Sequence, residues 1–301
     1  MRDEVGSFVE RATTRLAEAG VESPRHDAEA ILAFTLGTTR AGLRQQLPTL
    51  APAAAARAQE LVDRRAAREP LQHLTGRAGF RYLDLVVGAG VFVPRPETEV
   101  LAGQAVDELA RLVTRGVEHP LAVDLCTGSG AVAAAMATEV PVSRVTAVEV
   151  SEQAYAYAVR NATPLGVDVR LGDMADVVDD LDATVHVVTA NPPYIPLEAF
   201  ESVSREARDY DPPQALWSGD DGLAAIRRVA QVAARLLVPG GLVLCEHADV
   251  QGRSAPRVFA GSGSWSEVRD HEDLAGRPRF VTARRLAVPG TDVGDRPVVL
   301  T

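Results

Sequence analysis

Hydrophobic residues in the first quarter of the chain recur at the spacing of amphipathic helices. The first run ends at a glycine, and Ser23 followed by Pro24 is a typical start for a second helix. Pro52 opens an alanine-rich helix that is expected to continue to about Arg68. The pattern predicts a small helical domain over residues 1–76, with no polar cluster of its own.

The hydrophobic period changes to that of strands after residue 76. Apolar stretches at residues 80–87 and 91–93 flank Gly88-Ala89-Gly90, which predicts a β-hairpin that turns at the glycines. We expect this hairpin to connect two domains over residues 77–96. A helix with one apolar face should follow it, with the inward residues Val100, Leu101, Ala105, Leu109 and Leu112.

From Leu121 onward, strand-like and helix-like segments alternate. Such alternation is typical of a mostly parallel, doubly wound α/β sheet. A helix is also expected over residues 222–238, ended by Pro239-Gly240-Gly241. Strands are predicted at residues 121–126, 144–150, 167–171, 184–190 and 242–245, with a last one near 279–285.

A loop with two glycines follows the first of these strands, with the sequence Cys126-Thr127-Gly128-Ser129-Gly130. Cys126 stands where a dinucleotide-binding loop commonly has its first glycine, so a plain turn from strand to helix is an equal alternative. Glu149 ends the next strand about twenty residues later, which is the position of a carboxylate that binds a ribose diol. A nicotinamide cofactor and S-adenosylmethionine both fit this pattern.

Two aspartates flank these elements. Asp124 precedes the loop and is expected to hold a water or the amino end of an amino-acid-like ligand. Asp173 follows the third strand, where it is expected to accept a hydrogen bond from an adenine amino group. The alternative is that Asp173 only caps a helix over residues 174–180.

The fourth strand of this series ends in Asn191-Pro192-Pro193-Tyr194. Neither proline can continue a strand, because each lacks an N–H group, so the chain leaves the sheet in a stiff turn. The turn offers two acceptors, the Asn191 side-chain oxygen and the Pro192 carbonyl, beside the aromatic face of Tyr194. Two acceptors and a flat wall suit a planar –NH2 group; the alternative is a proline-rich exit without chemistry.

Composition restricts the classes of protein that remain. The net charge of −10 argues against nucleic acid as the main partner, because phosphate binding usually requires a basic face. No apolar run approaches the roughly 20 residues of a membrane span, and the first residues are not those of a secretory signal. The two cysteines are expected to be reduced, no metal-ligand spacing is present, and a cytoplasmic location follows.

Several segments together resemble one family, the HemK/PrmC protein-(glutamine) methyltransferases of peptide chain release factors. The most specific are Pro-Arg-Pro-Glu-Thr-Glu at residues 94–99 and Asn-Pro-Pro-Tyr-Ile-Pro at 191–196. Two residues depart from the family pattern, since Glu149 and Asp211 stand where Asp and Glu are commoner. Further matching segments lie at residues 69–76, 91–93, 124–130, 210–212, 215–216, 221–223, 239–247, 251 and 273–277.

The resemblance implies a class I S-adenosylmethionine-dependent methyltransferase, Rossmann-like with a seven-stranded mostly parallel sheet, over residues 97–301. It also implies that residues 1–76 dock a class 1 release factor. The expected reaction methylates the side-chain amide of glutamine in the Gly-Gly-Gln motif of that factor and leaves S-adenosylhomocysteine. A monomer without a membrane partner is expected. The implied cofactor residues are Cys126 to Gly130, Glu149, Asp173, Met174 and Asn191.

Two other functions remain open at this stage. An adenine or guanine amino-methyltransferase acting on nucleic acid would use the same turn at Asn191, but it predicts a basic channel beside Tyr194. A non-catalytic binding module would retain the fold and lose the loop or the turn, and both are intact in this sequence.

Overall fold

The computed structural model of the chain describes residues 2–46, 49–196, 198–199 and 205–287. Its first part is helical, as predicted, and packs around an apolar core that includes Leu16, Ile31 and Leu61. The structure adds a short helix, α5, that the hydrophobic pattern does not predict. The five helices are α1 (Arg2–Glu18), α2 (Pro24–Thr35), α3 (Arg40–Gln46), α4 (Pro52–Ala66) and α5 (Leu71–Thr75).

A two-stranded hairpin follows, but it turns earlier than the sequence predicts. Its strands are β1 (Arg77–Phe80) and β2 (Leu83–Val86), so the turn lies at Arg81 rather than at residues 88–90. Arg81 adopts a left-handed conformation with φ 52°, and its backbone N–H donates to Glu99 over 3.1 Å. The prediction was wrong because Val91 and Val93 are buried in a small apolar cluster with Ala154 and do not pair as a strand.

The remainder forms a seven-stranded, mostly parallel sheet in the order β5-β4-β3-β6-β7-β9-β8, with β9 and β8 antiparallel. Neighbouring residues of the central strands enter separate cores on the two faces: Ala122 packs in one and Val123 in the other. The strands are β3 (Leu121–Leu125), β4 (Arg144–Glu149), β5 (Asp168–Leu171), β6 (Val185–Ala190), β7 (Leu237–Glu246), β8 (Trp265–Glu272) and β9 (Pro278–Arg285).

A helix follows the hairpin and others lie between the strands, as predicted, whereas the two short helices at Arg205–Tyr210 and Pro213–Leu216 were not predicted. The Ser151 hydroxyl caps α8 by accepting from the Ala154 N–H over 3.4 Å. The helices are α6 (Thr98–Thr114), α7 (Ala131–Glu139), α8 (Glu152–Ala162), α9 (Arg205–Tyr210), α10 (Pro213–Leu216), α11 (Ala224–Leu236) and α12 (Ser254–Ala260).

One local prediction was wrong, and one of the alternatives is excluded. Helix α11 stops at Leu236, and β7 begins at once, so Pro239-Gly240-Gly241 lie within the strand. The pairing of β6 with β7 shifts register there, and Gly240 at φ 79° accommodates the irregularity. No α-helix forms over residues 174–180; turns and a 3₁₀ segment at Asp179–Leu181 occupy that stretch.

Candidate active site

The register of the parallel strands brings the predicted site residues into one row. Ala190 pairs with Leu125 on one side and with Cys245 on the other, so Asn191 and Cys126 leave the sheet side by side. Glu149 at the end of β4 pairs with Leu171 at the end of β5. The connection changes direction between β3 and β6, and such a switch point is where doubly wound sheets bind ligands.

A cavity of about 420 Å³ opens at this edge, a volume typical of small-molecule sites. Gly130 and Pro192 are the two predicted site residues that do not line it. Pro192 is buried, and a Cβ on Gly130 would lie 3.3 Å from the Ala158 Cα, so this glycine permits α7 and α8 to approach. The predicted residues that do line the cavity are Asp124, Cys126, Thr127, Gly128, Ser129, Glu149, Asp173, Met174, Asn191, Pro193 and Tyr194.

Glu149 lies against the glycine loop. Its two oxygens accept from the backbone N–H groups of Gly128 and Ser151, over 2.8 and 2.9 Å. Burial raises the pKa of this carboxyl above its ordinary value. A carboxylate has about four acceptor positions, so it can still accept from the hydroxyls of a ribose. Glu149 is one methylene longer than the aspartate that is commoner at this position, and its side chain still lines the cavity.

Asp124 ties the loop to the neighbouring strand. It accepts hydrogen bonds from the hydroxyls of Thr127 and Thr189, over 2.6 and 2.7 Å. Burial raises its pKa to about 6. Both oxygens already have partners within the protein, so the structure gives Asp124 a local role besides the ligand contact that was predicted.

Asp173 also lines the cavity and holds an ion pair. Its Oδ1 accepts from the Ala175 N–H over 2.8 Å and from the Arg228 guanidinium over 2.6 Å. Arg228 also lines the cavity. Within the part of the chain that the structure describes, Oδ2 makes no hydrogen bond, and it is the atom that could accept from an amino group.

The turn at Asn191 is supported from behind by two buried groups. The Asn191 side-chain Nδ2 donates to the Thr98 hydroxyl over 3.3 Å, and Thr98 donates to Glu246 over 2.7 Å. The Tyr194 hydroxyl donates to the other oxygen of Glu246 over 3.1 Å. Burial raises the pKa of Glu246 to about 7 and raises that of Tyr194 as well. Gln251 fixes the backbone, since its Nε2 donates to the Tyr194 carbonyl over 3.0 Å.

The sequence contained signals for residues that were not predicted to belong to the site. Glu246 ends a parallel strand, and the carboxyl ends of such strands meet at one edge of the sheet. Thr98 lies within the Pro-Arg-Pro-Glu-Thr-Glu segment that carried the resemblance. No comparable signal marks Arg228, or Phe80 and Phe92, which add aromatic surface to the cavity wall.

Charged contacts connect the N-terminal helices to the segment that follows the turn. Glu206 on α9 binds Arg65 over 3.3 Å and Arg68 over 2.7 Å. Arg65 also binds Asp27 within the helical part, over 2.8 Å. Ala207 on the same short helix lines the cavity, so the helical part contacts one wall of the site.

The polar groups that line the cavity fit S-adenosylmethionine, which carries a ribose, an adenine and an amino-acid end. Carboxylates line the cavity at Glu149, Asp173 and Asp124, and apolar surface lies between them. Among the described residues, no group of three His, Cys, Asp or Glu side chains could hold a metal ion. None of the described helices has both the length and the apolar character to span a bilayer.

Comparison with known proteins also indicates a methyltransferase. A family model for the PrmC N-terminal domain matches residues 8–76, and one for a methyltransferase domain matches residues 122–210. The catalytic domain of hMettl16, solved with an RNA hairpin, shares the fold at a TM-score of 0.50 and 16% identity, over 68% of this chain and 77% of that one.

Curated relatives are similar over nearly the full length. The release factor glutamine methyltransferase of Streptomyces coelicolor is 53% identical over 92% of this chain and 96% of its own. The enzyme of that name from Mycolicibacterium smegmatis is 45% identical over 93% and 97%. A 4-amino-L-phenylalanine/4-methylamino-L-phenylalanine methyltransferase of Streptomyces pristinaespiralis is 39% identical over 86% and 88%. The chain therefore belongs to the family of release factor glutamine methyltransferases, with a class I methyltransferase fold.

Proposed function

We propose that this protein transfers a methyl group from S-adenosylmethionine to the side-chain amide nitrogen of glutamine in the Gly-Gly-Gln motif of class 1 release factors. The observation that carries the proposal is the turn at Asn191, beside the glycine loop and at the rim of a single cavity. Membership of the family supports the choice of glutamine as acceptor. The site of action would be the cytoplasm, with the protein acting as a monomer.

Cofactor binding is proposed to use residues from three strand ends. Residues 126–130, with Asp124, would hold the amino-acid end, Glu149 would bind the ribose hydroxyls, and Asp173 with Met174 would bind the adenine. Gly130 would shape the loop, since it does not line the cavity, whereas the other residues do. S-adenosylmethionine, when bound, supplies a methyl group on a positively charged sulfur. The chain's own contribution is to orient the acceptor nitrogen and to exclude water from it.

Asn191 and Pro192 are proposed to overcome the poor nucleophilicity of an amide nitrogen, whose lone pair is delocalised into its carbonyl. The Asn191 Oδ1 at the cavity wall would accept one amide hydrogen, and the carbonyl of Pro192, which is buried between the cavity-lining Asn191 and Pro193, would accept the other. These two bonds would aim the nitrogen and stabilise its developing positive charge. Orientation of this kind contributes up to roughly 7–11 kcal/mol. Each acceptor aimed at developing charge contributes about 3 kcal/mol.

Pro193 and Tyr194 would complete the acceptor site. Pro193 and Tyr194 both line the cavity. Pro193 would stiffen the turn, and the Tyr194 ring would pack on the plane of the amide. The methylated nitrogen is strongly acidic and loses its proton to an acceptor or to water. No histidine base is assigned for this reason.

The division of the chain is part of the proposal. Residues 1–76 would dock the release factor, 77–96 would connect, and 97–301 would carry out the transfer. The contacts of Glu206 with Arg65 and Arg68 support a fixed relation between the docking helices and the cavity wall. A docked protein would then present its glutamine to one rim of the cavity.

A methyl-transfer assay with competing acceptors tests the proposal. The protein is incubated with radiolabelled S-adenosylmethionine and a purified release factor, the same factor with its Gly-Gly-Gln glutamine changed to alanine, or duplex and single-stranded nucleic acid. We expect label only on the unchanged release factor. Label on nucleic acid, or equal label on both forms of the factor, would contradict the proposal.

A further inference from the structure

Thr98 and Glu246 form a hydrogen-bonded chain behind Asn191, with distances of 3.3 and 2.7 Å between successive partners. We propose that Glu246, acting through Thr98, holds the Asn191 amide with its oxygen toward the cavity and its nitrogen away from it. Thr98 and Glu246 are then positioning residues for methyl transfer. The inference rests on the proposed function, because it concerns how the acceptor nitrogen is received.

The direction of each hydrogen bond from Asn191 through Thr98 is set by Glu246, the last residue of this hydrogen-bonded series. An ionised carboxylate only accepts hydrogen bonds, so the single hydroxyl proton of Thr98 must be donated to Glu246. The Thr98 oxygen then offers only lone pairs to its other neighbour. Of the two ends of the Asn191 amide, only the –NH2 end can donate to those lone pairs.

This polarity matters because the two ends of a carboxamide are nearly equal in shape. An Asn191 side chain turned by 180° would present N–H groups to the N–H groups of the substrate amide. Two N–H donors cannot hydrogen-bond to each other, so the flipped side chain would repel the substrate nitrogen that receives the methyl group. Packing alone distinguishes the two orientations weakly, whereas the chain through Thr98 distinguishes them by the direction of its hydrogen bonds.

Burial makes the chain rigid and isolates it from competing partners. Glu246 is 1% exposed and Thr98 is 4% exposed. Tyr194 donates to the second oxygen of Glu246, so the same carboxylate holds both the amide and the aromatic ring of the turn. The other charged groups that act on Glu246 are Arg279, which favours its ionised form, and Glu97, which disfavours it.

The direction of the chain should reverse when Glu246 is protonated. Burial raises the pKa of this carboxyl to about 7, so the change falls in an accessible range. A protonated Glu246 can donate to Thr98, and Thr98 can then donate to the Asn191 oxygen. Activity should therefore decrease as the pH falls through about 7.

The experiment compares Thr98→Val, Thr98→Ser and Glu246→Gln with wild type, using release factor methylation at saturating cofactor from pH 5.5 to 8.5. Thr98→Val, which keeps the shape and removes the hydroxyl, should lower kcat at least about tenfold. Thr98→Ser should stay within about threefold of wild type, because the hydroxyl remains. Glu246→Gln should lower kcat and abolish the decrease toward acid pH.

Matched control variants make the same chemical changes outside the site. Thr282 is a buried threonine that contacts His271, and Glu108 is a buried glutamate that binds Arg111 and Arg284. Thr282→Val and Glu108→Gln should retain wild-type kcat and the wild-type pH profile. The dissociation constant of the cofactor should stay within about twofold of wild type in the Thr98 variants, because Thr98 is not among the residues proposed to hold the cofactor.

Three results would overturn the inference: wild-type kcat in Thr98→Val, an equal loss in Thr98→Ser, or an unchanged acid limb in Glu246→Gln. An NMR measurement decides it independently of turnover. In wild type, the ¹⁵N resonance of the Asn191 side chain should titrate with a midpoint near pH 7, and in Thr98→Ser it should do so as well. A resonance that does not move with pH would refute the inference. Failure of wild type to methylate any release factor would refute the proposed function alone.

Discussion

Gly222 lies behind the turn at Asn191, and a single added methyl group there should displace it. The residue adopts φ +70°, and a Cβ would lie 2.4 Å from the Tyr194 carbonyl oxygen and 2.9 Å from the Pro196 Cδ. Ordinary contact begins at 3.4 Å, so the Tyr194 carbonyl must move by about 1 Å in Gly222→Ala. A displacement of 1 Å at a catalytic group costs about 100-fold in rate.

Gly219→Ala provides a matched control for the backbone strain. Gly219 has the same φ of +70°, but its added Cβ would lie 3.5 Å from the Ala224 Cβ, which is ordinary contact. Both variants place alanine in the left-handed region at a cost of about 1–2 kcal/mol. Only in Gly222→Ala should overpacking lower the free energy of unfolding by a further ~1–3 kcal/mol.

The assay measures kcat for release factor methylation, the dissociation constant of the cofactor by calorimetry, and the free energy of unfolding in urea. We expect Gly222→Ala to lose about 100-fold in kcat with little change in cofactor affinity. Gly219→Ala should retain kcat to within about threefold. Equal losses in the two variants, or wild-type kcat in Gly222→Ala, would refute the reasoning from the Tyr194 contact.

Three further predictions concern binding and stability. Glu149→Ala should raise the cofactor dissociation constant at least about tenfold, and an unchanged constant by calorimetry would overturn the ribose assignment. Glu206→Gln should lower the free energy of unfolding by about 1.5–3 kcal/mol, because the side chain is only 17% exposed in its ion pairs. The exposed Glu60→Gln, 55% exposed, should change it by less than about 0.5 kcal/mol, and similar losses in both would contradict a role for burial. For Asp124 the folded pKa of about 6 exceeds the ordinary 3.8, so the folded state binds the proton more tightly and stability is lost as pH rises from about 4 through 6. This decrease in the free energy of unfolding is about 3 kcal/mol. In Asp124→Asn, the free energy of unfolding in urea should not show this decrease. An identical pH dependence in the variant and wild type would contradict the burial argument.

The order of elements in the methyltransferase domain, apart from the short helices α9 and α10, could be predicted from the hydrophobic period together with the positions of glycine and proline. Buried parallel strands such as residues 121–125 are short apolar runs, and the helices between them carry one apolar face. The row of Cys126, Glu149 and Asn191 also followed from sequence, because strand ends of a doubly wound sheet share an edge. The element assignments use local sequence patterns, and the row of site residues needs only the general rule for parallel strands in addition.

The features that sequence could not predict depend on contacts across long distances. The hairpin turn at Arg81 was missed because no glycine marks it, and contacts from Glu99 and Glu139 hold that conformation. The chain from Asn191 through Thr98 to Glu246 joins residues that are 93 and 148 positions apart. The sequence shows each of these residue types but not that they meet.

The most direct test of the central claim is the single-turnover rate of Asn191→Ala on release factor, measured beside its cofactor dissociation constant. If Asn191 holds the substrate amide in line for transfer, the rate should fall at least about 100-fold while cofactor affinity changes much less. If rate and affinity fall together by the same factor, Asn191 is mainly a cofactor ligand. The turn would then not activate the substrate amide.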